Sequence, residues 1–172
     1  MIKKYLPLIF IILLFCSFSY SAKSDSAIKD GVWNTGKNDI SFLKGKNSNY
    51  KKGRDALKQA KKYDNKGKSK KAKKRFNDAI KFFTLANKDL PNEPDILSDL
   101  GYSLGRLGDF IMAEIYYTNG LQVDPKHISL NANFGKLYIE TNRIDKAKER
   151  LSSLENCSCK EFEELKSLIQ KN

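Results

Sequence analysis

The chain has 172 residues, of which 40% are hydrophobic, and its 32 Lys and Arg against 20 Asp and Glu give a net charge of +12. This length accommodates one compact domain, and the apolar share is too low for a protein that crosses a membrane many times. Three cysteines are too few for a disulfide-rich scaffold, and a single histidine excludes most zinc sites and Ser-His-Asp triads.

Residues 1–22 have the pattern of a secretory signal peptide. Two lysines precede an apolar run over residues 6–16, and small and polar residues follow it. Because this run is shorter than the ~20 residues that a spanning helix needs, the pattern predicts cleavage and export. An uncleaved N-terminal anchor is one alternative, and lipidation at Cys16, disfavoured by the bulky Phe15 before it, is another. All three place the mature chain in the periplasm or attached to the cell envelope.

Residues 23–49 are predicted to form a flexible linker. They are rich in Ser, Asn, Lys, Asp and Gly and show no sustained hydrophobic period, so they cannot bury enough apolar surface to order themselves. Five apolar residues are exceptions that we expect either to dock onto the folded part or to contact a partner: Val32, Trp33, Ile40, Phe42 and Leu43.

Residues 51–75 form a strongly basic segment, with 13 Lys and Arg against Asp55 and Asp64. In an exported protein, anionic lipid or an acidic partner fits such a segment better than nucleic acid, which we do not expect as a partner. The alternative is an ordinary solvated helix face, since lysine is common on protein surfaces. The candidate basic surface consists of Lys58, Lys61, Lys62, Lys70, Lys71 and Lys74.

From residue 50 onward, apolar residues recur at steps of three and four, which predicts helices throughout. The pattern repeats at a shift of 34 residues. Its corresponding positions are Ala79, Phe83 and Pro91, then Ala113, Tyr117 and Pro125, then Ala147, Leu151 and Cys159. A 34-residue period of paired helices is typical of tetratricopeptide repeats.

Each matched residue type has a mechanical reason. Gly101 and its counterpart Gly135 are small, so the first helix of a hairpin can approach the second closely. The aromatic or aliphatic residue of the second helix, such as Tyr117, is expected to fill the space between neighbouring repeats. Pro91 and Pro125 end the second helices, because proline lacks the backbone donor and clashes in a helix interior.

Residues 94–127 therefore resemble a near-consensus tetratricopeptide repeat. Residues 128–157 resemble a weaker repeat, in which Asn131 stands where a large apolar residue is expected. Residues 50–91 resemble a degenerate, basic hairpin whose second helix carries an insertion of about two turns, with Gly67 in the turn. Residues 160–171 are predicted to form a capping helix. The resemblance implies an all-α fold, a short right-handed solenoid of helical hairpins with a C-terminal cap.

The chain also resembles small exported tetratricopeptide proteins of alphaproteobacteria, which carry two cysteines just before their last helix. Here these are Cys157 and Cys159. A local disulfide, free and partly buried thiols, and a redox or soft-metal role all remain open. Two sulfurs alone do not complete a metal site.

No motif of a phosphate-binding loop, a nucleophile elbow, a zinc protease or a calcium loop occurs in the sequence. His127 lies in a turn between repeats, where a structural role is expected. The prediction is therefore a non-enzymatic protein without cofactor or metal.

The family resemblance implies a protein–protein interaction module, an adaptor or scaffold that binds a peptide or helix of a partner in its concave groove. The predicted groove residues lie on the first helix of each hairpin: Asp95, Ser98, Asp99, Tyr102, Arg106, Ser129, Asn133, Lys136 and Glu140, with Arg54 and Lys61 added from the first hairpin. Packing of Tyr102 on a neighbouring helix is the alternative for that residue. The set lacks the Lys/Asn pattern of the carboxylate clamps that bind chaperone tails in this family.

An alternative function is that of an envelope surface protein held to anionic lipid or polymer by the basic residues 51–75. In that case the repeats would act as a rigid spacer. A repeat array this short lies near the minimum for stability, so self-association is a further expectation.

Overall fold

The structure, a computed structural model, describes residues 48–172. The chain forms seven helices within that range and no strand: α1 (Ser48–Asp64), α2 (Ser69–Asp89), α3 (Pro94–Arg106), α4 (Phe110–Val123), α5 (Ile128–Glu140), α6 (Ile144–Ser152) and α7 (Lys160–Gln170). None of these described helices is both long and apolar enough to cross a membrane. The predicted signal peptide, residues 1–22, and the predicted linker up to residue 47 lie outside the described residues.

The helices pack as three successive hairpins, and α7 covers the last of them. Each of α1, α3 and α5 packs against the helix that follows it, and α7 packs against both α5 and α6. The odd-numbered helices also contact one another, α3 with α5 and α5 with α7, whereas no two even-numbered helices of the described chain share an extensive contact. The odd-numbered helices therefore line the inner face of the stack, and the even-numbered helices lie outside.

Helix boundaries follow from local chemistry. The second helices α2 and α4 each end two residues before a proline, at Asp89 and Val123, as the repeat pattern predicts. A third proline, Pro94, occupies the first turn of α3, where its missing N–H costs nothing. Asp109 caps α4, because its carboxylate accepts a hydrogen bond of 3.1 Å from the backbone N–H of Met112.

The start of the first hairpin differs from the sequence prediction. Helix α1 begins at Ser48, so the last two residues of the segment predicted as a linker are helical, and the first hairpin starts two residues before the predicted residue 50. The turn between α1 and α2 contains Gly67 with a φ of 66°, a backbone conformation that glycine adopts without strain.

The first hairpin is longer than the second in both of its helices. A Cβ added to Gly53 would lie 2.6 Å from the Phe83 ring, and one on Gly101 would lie 2.5 Å from the Tyr117 ring, so the two pairs mark equivalent crossings. Thirty residues separate the first pair and 16 the second, a difference of 14. The predicted two extra turns are present in α2. Measured from the crossing to the turn, α1 is lengthened by a similar amount.

The close approach predicted at Gly135 involves a different helix. Its nearest side chain is Leu165 of α7, 2.6 Å from a Cβ built at Gly135, and not a residue of α6. Helix α6 has only nine residues, so α7 occupies the space that a longer second helix would fill.

Asn131 is fully buried, although a large apolar residue was expected there. Its amide nitrogen donates to the carbonyl oxygens of Pro125 and His127, at 3.0 and 3.1 Å, and Arg150 of α6 contacts its oxygen at 3.4 Å. The polar side chain is therefore satisfied, and it ties the start of α5 to α6.

Candidate functional site

The inner face is held together by polar contacts between successive odd-numbered helices. One guanidinium nitrogen of Arg54 on α1 donates to both carboxylate oxygens of Asp99 on α3, at 2.9 and 3.0 Å. The amide nitrogen of Asn133 on α5 donates to the hydroxyl of Ser98 on α3 at 3.2 Å. These contacts fix the register of α1, α3 and α5 in the stack.

Two of the predicted groove residues, Ser98 and Asp99, are not on the solvent side. They are buried, at 2% and 7% exposure. Their predicted orientation was wrong because side chains of both neighbouring first helices reach them: Arg54 of α1 donates to Asp99, and Asn133 of α5 donates to Ser98.

Most of the other predicted groove residues are also engaged. Arg106 pairs with Asp64 of α1 and lies 3.8 Å from Glu140 of α5. Lys136 pairs at 3.0 Å with Glu164 of α7, a carboxylate whose pKa is lowered by hydrogen bonds from Lys160 and Lys136. These residues therefore form ion pairs between odd-numbered helices.

Asp95 and Ser129 lie at the beginning of α3 and α5. The Asp95 carboxylate contacts Nε2 of the buried His127 at 3.3 Å. The Nδ1 atom of the same ring accepts a hydrogen bond from the Leu130 amide at 3.3 Å and caps α5. Both ring nitrogens of His127 therefore make structural contacts. Ser129 is half-buried in the first turn of α5.

Tyr102 is half-buried and packs on a neighbouring helix, as the alternative interpretation of this residue predicted. Its ring lies 6.2 Å from the ring of Phe76 on α2. The Lys61 ammonium lies 4.3 Å from the centroid of the same ring. The contact is a cation–π interaction on the inner face.

Burial dominates the electrostatics around Asp99. It raises the pKa of the Asp99 carboxyl from 3.8 to about 6, although the Arg54 guanidinium opposes this shift. Burial likewise raises the pKa of the Tyr50 hydroxyl, and the Asp99 charge adds to that effect. Desolvation lowers the pKa of the Lys61 ammonium, with Asp99 opposing and Arg54 and Lys136 reinforcing the shift.

A pH dependence of stability follows from the raised pKa of Asp99. Because this pKa is higher in the folded than in the unfolded chain, the stabilisation is complete below pH ~4 and is lost as pH rises through ~6. Between pH ~5 and ~7 the free energy of unfolding should fall by about 1 kcal/mol relative to the Asp99→Asn variant. Urea unfolding of both proteins at the two pH values measures this, and parallel pH profiles would contradict it.

Two cations on the inner stripe of α1 have no carboxylate partner among the described residues. Arg54, Lys58 and Lys61 are spaced by four and three residues, so they lie along one side of the helix. Arg54 is paired with Asp99, whereas Lys58 and Lys61 are exposed and form no ion pair within the described chain. An anionic group of a ligand can therefore approach this part of the face without displacing an internal partner.

The candidate basic surface divides into two parts. Lys58 and Lys61 belong to the inner stripe of α1. The other four predicted lysines, Lys62, Lys70, Lys71 and Lys74, are exposed around the far end of the first hairpin.

Cys157 and Cys159 are joined by a disulfide, with their Cα atoms 5.1 Å apart. Cys157 packs against the apolar cluster around Leu154 and Leu165, and Cys159 directly precedes α7. No group of three or more His, Cys, Asp or Glu side chains suited to a metal ion occurs between residues 48 and 172.

The sequence and the fold were compared with those of known proteins. Residues 94–127 match the family model for the tetratricopeptide repeat. Among curated proteins, none is similar enough in sequence to count as a relative. A solved structure described as the first TPR of Spaghetti (RPAP3) bound to the HSP90 peptide SRMEEVD matches with a TM-score of 0.50 and 19% identity. The match covers 71% of this chain and 94% of that one.

At this identity the structural match establishes the fold alone. Residues 94–127 thus form a tetratricopeptide repeat, and the described chain folds as a short helical solenoid of tetratricopeptide hairpins.

Proposed function

We propose that the chain is a non-enzymatic protein–protein interaction module of the cell envelope, which binds a peptide or a helix of a partner along its inner face. One observation carries the proposal: Lys58 and Lys61 lie on the inner face without a carboxylate partner, and Lys61 adjoins the half-buried ring of Tyr102. The structural neighbour, which was solved with a peptide bound, supports this type of ligand.

The charges on the inner face favour an acidic segment of the partner. The anionic groups of the face are already held by internal partners, Asp99 by Arg54 and Glu164 by Lys136. A carboxylate of the ligand would meet the unpaired ammonium groups of Lys58 and Lys61. Because Tyr102 offers part of its ring beside them, an apolar ligand side chain near that carboxylate would fit.

The contacts of the inner face support recognition without catalysis. The single histidine of the chain uses both ring nitrogens to cap α5 and to contact Asp95. It therefore lacks a free nitrogen with which to activate a nucleophile. The proposed mechanism is non-covalent and requires no cofactor.

Two features support an envelope location. Residues 1–22 have the charged start, apolar run and small-residue end of a secretory signal. A disulfide between Cys157 and Cys159 is compatible with an oxidising compartment outside the cytosol.

The experiment is a selection of peptides from a random library on the full-length protein, followed by lysine footprinting of the complex. We expect enrichment of acidic peptides that protect Lys58 and Lys61 from acylation. The lysines Lys81 and Lys88 on the outer helix α2 should label at the same rate with and without peptide. Protection of the outer lysines alone, or recovery of no specific peptide, would refute the assignment to the inner face.

A further inference from the structure

The far end of the first hairpin, residues 62–75, carries a net positive charge that acidic residues elsewhere in the described chain do not neutralise. It contains seven Lys and one Arg against the single acid Asp64. Asp64 is paired with Arg106 of α3, and Arg75 is paired with Asp78. None of the seven lysines forms an ion pair with a described residue: Lys62, Lys66, Lys68, Lys70, Lys71, Lys73 and Lys74. We call residues 62–75 the hairpin tip.

The hairpin tip lies in the part of the first hairpin that exceeds the length of the second hairpin. The 14 additional residues of the first hairpin lengthen each helix by about two turns, or ~10 Å, beyond the crossing of Gly53 with Phe83. The apolar residue of α2 within the tip, Ala72, and Phe76 directly after the tip are both buried against the core. No residue of the tip is a large exposed hydrophobic side chain. The tip is thus a cationic projection with its apolar side turned inward.

The charge is also unfavourable within the hairpin. Helix α2 has no acidic residue in its first turn, where Lys70 and Lys71 lie, and Lys73 and Lys74 follow at once. Positive side chains at a helix N-terminus are repelled by the positive end of the helix dipole. This arrangement lowers the stability of the isolated hairpin, and an external array of anions would relieve it.

We propose that the hairpin tip is a membrane-docking surface that binds the anionic headgroups of a lipid bilayer. Clusters of four to eight basic residues bind anionic membrane surfaces, and the absence of exposed apolar residues indicates peripheral contact without insertion. The lysines surround the loop and both helix ends, which suits a flat surface of many phosphates.

The tip is less suited to a nucleic acid strand. Single strands bind in a positively charged groove where exposed aromatic rings stack on the bases. The lysines of the tip lie around a helix-to-helix turn, and the ring of its one aromatic residue, Tyr63, is partly buried with its centroid 5.8 Å from the Lys71 ammonium. Its single arginine, the residue type suited to bidentate recognition, is engaged by Asp78. The assignment is independent of the proposed function, because Lys58 and Lys61 of the inner face lie outside the tip.

The test measures binding of the full-length protein to phosphatidylcholine vesicles with and without roughly 30% phosphatidylglycerol. We compare the wild type with a variant in which Lys70, Lys71, Lys73 and Lys74 are replaced by Gln. Since each lysine near an anionic surface contributes about fivefold to binding, the variant should bind anionic vesicles at least about a hundredfold more weakly. Wild-type binding should also weaken steeply between about 50 and 200 mM salt.

The matched control replaces four exposed lysines elsewhere by Gln, namely Lys81, Lys88, Lys126 and Lys171, and should stay within about twofold of the wild type. Both variants keep the apolar residues 6–16, so binding through that segment is common to all three proteins and is measured on pure phosphatidylcholine. Equal losses in both variants, or no preference for anionic vesicles, would overturn the proposal. Tip-dependent binding to single-stranded DNA that exceeds binding to vesicles at equal phosphate concentration would reassign the surface to a polynucleotide.

The result of the vesicle experiment can be distinguished from the result of the peptide-binding experiment on the inner face. Removing positive charge from the start of α2 should raise the melting temperature, so loss of vesicle binding cannot be ascribed to unfolding. The tip variant should also keep its affinity for the peptides selected on the inner face.

Discussion

Replacing Gly101 by alanine is expected to lower the free energy of unfolding by about 2 to 3 kcal/mol. The added Cβ would lie 2.5 Å from the Tyr117 ring, a distance that forces one of them to move. The ring has little room, because Tyr117 is 2% exposed and its centroid lies 5.3 Å from that of Phe134. The substitution therefore separates α3 from α4 at the centre of the best-matched repeat. Urea unfolding followed by circular dichroism measures the effect.

A matched control lies one turn further along the same helix. A Cβ on Gly105 would meet only ordinary contacts, with Leu137 at 3.6 Å and Ala113 at 3.8 Å. Gly105→Ala should therefore stabilise the protein by up to about 1 kcal/mol, because alanine is the better helix former. In the Gly101→Ala background, Tyr117→Leu should cost less than it does alone, since the smaller side chain relieves the clash. Destabilisation of similar size at both glycines would show that the crossing with Tyr117 is not the cause.

The repeat period made most of the fold predictable from sequence. The spacing of apolar residues and the prolines after the second helices indicate the local backbone conformation. The small residues at the crossings indicate contact with a neighbour at a fixed distance along the chain. A uniform period fails where the hairpin length changes. A shift of 34 residues back from Gly101 leads to Gly67, which lies in a turn, whereas the crossing in the first hairpin is at Gly53. The pairing of Gly53 with Phe83 requires knowledge of both helices.

The sequence offered candidate residues for the inner face but not the pairing between them. Position on a helix indicates which side chains face inward, yet it does not show which neighbour covers them. Asp99 is buried because Arg54 reaches it from α1 across a separation of 45 residues. The sequence signal for this contact is modest: an arginine and an aspartate of opposite charge on the inner sides of consecutive first helices. The sequence assigned Lys58 and Lys61 to the basic surface, and Lys61 also to the groove, but the two stand out as a separate pair only once the other charges of the inner face are seen to be paired.

Reversing the two unpaired charges of the inner face should abolish most of its peptide binding. In the Lys58→Glu, Lys61→Glu variant, a carboxylate of the ligand would meet two like charges. We expect affinity for the library-selected acidic peptides to fall at least about a hundredfold. Lys58 is exposed, whereas the Lys61 change also removes the cation–π contact with Tyr102, so the free energy of unfolding should fall by about 1 kcal/mol, too little to unfold the chain. Fluorescence anisotropy with labelled peptides gives the affinities, and circular dichroism confirms that helicity is kept.

The control for this prediction carries the same change in net charge on the outer helix α2, at Lys81 and Lys88. If charge acts at long range, both double variants should lose affinity together. If the peptide lies on the inner face, only the first should lose it, and only the wild type and the control should weaken steeply as salt rises. Retention of affinity by the inner-face variant would remove Lys58 and Lys61 from the site. It would leave the paired residues of α3 and α5 as a structural seam that holds the solenoid together and recognises nothing.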